Sequence, residues 1–173
     1  MPFQSTVRID QTTGIVGDII LDGPLWSQPA VLNSTAAANN VIGRAFRHLA
    51  NQDRQVSADA AAGRPFAGLL ANSKVYATSG TSAGGTLAPT LVLPNNAEVE
   101  LVYGTAGILV ELSTTANIGD NVFFATATGI LAAAAGTTLA DHDLIPGSSI
   151  VRNNISGAGR LAIVSIVPSQ TEA

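Results

Sequence analysis

The chain has 173 residues and a net charge of −4, a length that fits one domain. Hydrophobic residues make up 46% of it, much of that alanine, and charged residues only 12%, about half the usual share. A single lysine, Lys74, and scattered arginines leave no basic stripe for nucleic acid. The absence of cysteine removes disulfides and thiolate metal sites, and no apolar run approaches the ~18 residues that span a bilayer.

Residues 1 to about 40 read as extended, turn-rich chain, an N-terminal arm ahead of a β domain over 41–173. MPFQSTVRID shows no basic-then-apolar signal pattern. Asp18 to Leu21 predicts one strand, and Asp22-Gly23-Pro24 a turn, because Gly supplies unusual φ and Pro fixes φ. Trp26, the lone tryptophan, either fills a local core gap or anchors the arm on a partner.

Between 41 and 49, helical spacing joins Val41, Ala45 and Leu49, while strand alternation joins Ile42, Arg44 and Phe46. Gly43 weighs against the helix. A mobile polar loop is expected over 52–63.

From Pro65 onward the pattern is β. FAGLLA is a short apolar run, and in TLAPTLVLP the prolines Pro89 and Pro94 restrict Leu87, Leu91 and Leu93 to an edge or bulge. AEVELVYG alternates Val99, Leu101 and Tyr103 against Glu98, Glu100 and Val102, and GILVEL follows across a Gly-containing link as an expected hairpin partner. NVFFATATGIL reads as strand, turn, strand, with one of Phe123 and Phe124 in the core and the other turned outward. GSSIVRN and RLAIVSIVP flank NISGAG as a second hairpin. About seven short strands with a turn signal roughly every ten residues predict an all-β fold, a small barrel or sandwich.

Gly-Asp stands before an apolar run twice, in VGDIIL and IGDNVFF. Gly takes a φ other residues avoid and Asp bonds nearby backbone N–H groups, so each predicts a turn that delivers the chain into a strand.

Few residues point to reaction chemistry. GTSAG places Ser82 in a nucleophile-elbow pattern, with Asp120 and His142 in tolerable order, but Gly, Gly, Thr and Pro89 follow where a helix is needed. In ADHDLIPG, adjacent Asp141, His142 and Asp143 point to alternate sides and cannot grip one ion together, which predicts an exposed His–carboxylate pair. Asp18 and Asp120 lack the ligand spacing of a calcium loop. No cofactor and no catalytic residue is expected. A charge-poor β domain of this kind works by surface contact.

GIVGDIILDGP, QPAVLNS, NNVIGRAF, PFAGLLANSKVYA, GTLAPTLVLPNNAEVEL, GILVEL, NIGDNVFFATATGIL and GSSIVRNNISGAGRLAIVSI run in order over nearly the whole chain. This series resembles the tailed-phage capsid decoration, or structural cement, proteins. The resemblance implies a small β-barrel or sandwich with an extended arm. It also implies a place on the outer surface of the head, at seams between capsomers, after synthesis in the host cytoplasm. The major capsid protein and other copies of the chain, as dimer or trimer, are the implied partners, without nucleic acid or membrane. Leu25, Trp26, Val31 and Leu32 are the expected apolar anchors, with Phe46 as a further contact. The alternative is another virion module, for the tail or for host attachment.

Overall fold

The computed structural model describes residues 14–52, 54–72, 92–153 and 160–168. Among them lie ten strands: β1 Leu25–Leu32, β2 Ala45–His48, β3 Gln55–Ser57, β4 Phe66–Leu70, β5 Glu98–Glu111, β6 Asn121–Ala125, β7 Leu131–Ala134, β8 His142–Leu144, β9 Ser148–Asn153 and β10 Leu161–Ile166. One 3-10 turn, Ala37–Asn39, accompanies them, so the fold is all-β as expected.

The larger sheet runs β1-β3-β2-β4-β5-β10-β9, and β1 also pairs with β5. That extra pairing closes the first five strands into a small barrel, which removes their free edges. Its interior holds Ala30, Leu32, Phe46, Val56, Ala67, Leu70, Val99 and Leu101. A second layer, β7-β6-β8, packs a separate core that includes Leu69, Ile108, Val110, Val122, Phe124, Ile150 and Val164. Neighbours in sequence serve different cores: Ala45 and Phe46 on β2 divide between them, as do Leu69 and Leu70 on β4. The chain is thus both barrel and sandwich.

Several expectations give way here. From Leu25 the expected arm is a barrel strand: β1 pairs antiparallel with β5 from Leu25↔Thr105 to Val31↔Glu98 and parallel with β3 at Leu32↔Val56. Pro29 sits opposite Glu100 within this ladder. Asp18 to Leu21 forms only the isolated bridge Ile19↔Ile108. Of the two readings of 41–49 the strand holds: β2 begins at Ala45, after Gly43 turns the chain at φ 82°. The polar loop of 52–63 contains β3, whose Val56 and Ser57 are buried.

The expected hairpin of AEVELVYG and GILVEL does not exist, because both segments belong to the 14-residue β5. Its first half gives Val99 and Leu101 to the barrel, and its second gives Ile108 and Val110 to the sandwich. Thr105 is where the partner changes, pairing with both Leu25 of β1 and Ile166 of β10. Register shifts flank this point, between Trp26/Ser27 on one partner and Val164/Ile166 on the other. Such irregularities bend and twist a strand locally. Gly104 and Gly107 serve close approach rather than a turn. A Cβ on Gly107 would stand 2.7 Å from Leu21 Cγ and 2.8 Å from Ile163 Cγ2.

Strand, turn, strand holds for β6 and β7, and the two strands of the second hairpin pair as β9 and β10; NISGAG between them lies outside the described residues. Phe123 and Phe124 are both buried, because β7 and β8 flank β6 and the larger sheet covers it. Neither faces outward.

The two Gly-Asp pairs make the same device. Gly17 and Gly119 take φ 90° and 91°, Asp18 N and Asp120 N donate to the carbonyls of Ile15 and Asn117, and each Asp Oδ2 accepts the N–H three residues back. This is the type II pattern, with Gly at the third position and Asp at the fourth. Each turn then clips a strand. Gly17 N donates to Leu109 O and Leu109 N to Asp18 O, at 2.8 and 2.9 Å. Gly119 N donates to Ile150 O and Ile150 N to Asp120 O, again at 2.8 and 2.9 Å. The predicted turn is borne out, and its added role is to cover the sides of β5 and β9.

One buried ion pair ties the layers. Arg47 of β2 is fully buried, and its Nη2 donates to Asp143 Oδ2 of β8 at 2.6 Å. Its Nη1 donates to Ala60 O at 2.8 Å, and its guanidinium lies 4.6 Å over the Phe124 ring. The expected exposed His–carboxylate pair is therefore corrected: Asp143 is held by Arg47 across the sandwich. Burying a guanidinium costs free energy that only its partners offset. Asp143→Asn should lower unfolding free energy in urea by about 2–3 kcal/mol, less than the ~3–5 of a fully buried pair because Asp143 still meets water. Arg47→Lys should not substitute, since an ammonium cannot span the same acceptors.

Asp59 clamps the loop before β2 onto β3. Its carboxylate accepts from Thr35 N at 2.8 Å and Ala36 N at 2.7 Å, and from the Ser57 hydroxyl. Desolvation pushes its pKa up, but these bonds, led by Ser57, outweigh it and hold the pKa below 3.8. A depressed folded-state pKa contributes stability above the unfolded value and loses it as pH falls through the folded one. Wild type should therefore lose stability below about pH 4 more steeply than Asp59→Asn, followed by thermal melts across pH.

Candidate interaction surface

The segment from Ile19 to Trp26 runs alongside the middle of β5. Ile19 bridges Ile108, Leu21 covers Gly107, Gly23 covers Ala106, and Leu25 and Trp26 pair with Thr105 and Gly104. Trp26 lies on bare backbone: a Cβ on Gly104 would stand 2.7 Å from Trp26 Cε3 and 2.5 Å from Pro168 Cγ. Trp26 and Pro168 therefore sit side by side on one strand. Beyond Pro168 opens a groove of about 390 Å³ lined by Pro65, Phe66, Tyr103, Pro146 and Pro168. Gln28 also lines it, with its amide turned inward to donate to Ala67 O at 2.8 Å.

Several apolar side chains of this region stay exposed, with the carboxylate of Asp22 among them. Leu25 and Trp26 are 47% and 41% exposed, Ile19 is 44% exposed, and Val167 beside Pro168 reaches 65%. Aromatic and proline side chains of this kind lose little entropy on contact, which suits a binding face.

The five sequence candidates divide. Leu25 and Trp26 are on this face, and Val31 is half-buried on β1. Leu32 and Phe46 are completely buried in the barrel, which corrects their expected place among surface anchors: ring closure turns both inward. Reading residues for apolar character alone could not separate the two groups. It also missed Val167 and Ile118, which is 69% exposed at the second position of its Gly-Asp turn. An apolar residue inside a turn motif was the available signal for Ile118.

Ser82 lies outside the described residues. Asp18 and Asp120 carry turn hydrogen bonds, and His142 Nδ1 stands 2.6 Å from Ala140 O. Among the described residues no group of three His, Cys, Asp or Glu is placed to hold a metal. No helix there is long and apolar enough to cross a membrane.

The structural cement proteins described by E217 gp24/Pam3 gp6 match residues 3–167. The chain belongs to this structural cement family. A capsid-stabilising decoration protein is what such membership makes it, and its place is the virion capsid. The cement protein is also similar in fold to a chain in the structure titled "The capsid of Myoviridae Phage XM1". That likeness has a TM-score of 0.59 at 13% identity over 96% of this chain and 98% of the other. No curated protein matches.

Proposed function

We propose that the cement protein lies on the outer surface of the major capsid protein lattice, at seams between capsomers, and holds them by contact without catalysis. The observation that carries this reading is the exposed apolar surface of Leu25, Trp26 and Val167, beside half-buried Pro168, on a chain with only 12% charged residues. A shell under internal pressure opens at its seams, and a clamp that buries ~1,600 Å² across one adds resistance at each repeat. Self-association, as dimer or trimer, belongs to the same proposal, and native mass measurement of the free protein tests it.

The face is built on paired strands, so it needs little ordering to bind. Residues 19–26, rather than all of 1–40, are the part proposed to reach the lattice. Deleting 1–40 would remove β1 and open the barrel, so point substitutions give the cleaner test.

Leu25→Ala should fold with near wild-type melting temperature and Trp26→Ala, which loses its packing on Gly104, should melt lower but still fold, and both should bind undecorated heads more weakly. A loss of about 2–4 kcal/mol for a central aromatic anchor corresponds to at least a tenfold drop in affinity, read by sedimentation binding. Heads decorated with the double variant should also rupture at lower temperature than wild type. Equal occupancy by the double variant would remove this face from the contact.

A further inference from the structure

A second groove, of about 510 Å³, lies toward the far end of β5, lined by Val41, Val92, Ile130, Arg44, Arg160 and Glu111. Its placement follows from the strand. The Trp26 face covers Gly104, whereas this groove begins at Glu111, about 23 Å further along at ~3.3 Å per residue.

The groove's charge runs against that of the molecule. The chain carries a net −4, yet among the described residues two arginines and one carboxylate line this groove. Neither arginine pairs with an acid: among the described residues the ion pair is Arg47–Asp143. Arg44 Nη1 meets only neutral acceptors, Asn39 Oδ1 at 2.8 Å and Thr128 O at 3.2 Å. Burial without a counter-charge lowers its pKa from the usual value, the sign of a cation that a carboxylate would stabilise. Val92, 46% exposed, adds apolar surface beside the charges.

We infer that this groove, lined by Arg44 and Arg160 over apolar Val41, Val92 and Ile130, receives an extended segment of the capsid protein carrying an acidic side chain. The inference rests on the cement reading. It gives the protein two contact surfaces, one over the middle of β5 and one at its Glu111 end, so that each copy can hold two capsid segments at once. Two linked contacts reinforce each other by raising the effective concentration of the second. The apolar face supplies adhesion, and the arginines select an acidic partner and fix its register.

The test is binding to undecorated heads over a series of salt concentrations, for wild type, Arg160→Glu, Arg160→Lys and Trp26→Ala. Arg160 is exposed, so its variants should fold normally, which melting temperature confirms. Arg160→Glu is expected to bind about tenfold more weakly at low salt, with the gap closing as salt rises, while Arg160→Lys retains most of the affinity. If Arg160→Glu matches wild type at every salt concentration while Trp26→Ala is impaired, this inference fails and the cement reading stands. If Arg160→Glu instead alters the mass of the free protein and leaves head binding intact, the groove joins copies of this chain and the inference is overturned. Failure of wild type to bind heads would overturn the cement reading itself.

Discussion

The structure depends on β5 belonging to two cores at once. Its first half closes the barrel against β1, and its second half builds the sandwich with β10. Such a strand cannot be bulky in the middle, since two partners, the 19–26 segment and Pro168 all converge there. Gly104 and Gly107 meet that constraint by leaving backbone for Trp26, Pro168, Leu21 and Ile163 to rest on. The exposed tryptophan is thus a consequence of the joint: the residue that covers it faces the solvent on its other side.

Around this spine, polar groups hold what hydrophobic contact alone would leave adjustable. Arg47 links β2, the loop after β3 and β8, positions that no run of local sequence connects. Two matching Gly-Asp turns clip β5 and β9 with backbone bonds. Open strand sides template unwanted pairing, a hazard for a charge-poor protein. Covering them directs association to side-chain faces.

The faces that remain differ in kind. The one over Gly104 carries proline and aromatic rings, and the groove at Glu111 carries two guanidiniums that, among the described residues, form no ion pair. In protein contacts, non-polar area supplies adhesion while charge helps decide which neighbour is accepted. Rigidity between the faces comes from β5, whose length sets their separation.

Sequence alone determined the fold class and much of its punctuation. The Gly-Asp turns, the β6–β7 turn and the β9–β10 pair were legible because their geometry is set within a few neighbouring residues, by a φ that Gly permits or a bond that Asp accepts. The ordered series of segments also sufficed to reveal the family. Tertiary structure alone decided which apolar residues stay outside: Leu25 and Trp26 remain exposed while Leu32 and Phe46 vanish into the barrel, though all four look alike in the chain. It also decided that Gly104 and Gly107 join two strands into one, and that Arg47 meets Asp143 from 96 residues away. Burial and charge pairing depend on which distant segments close over a face, and local sequence carries no record of that closure.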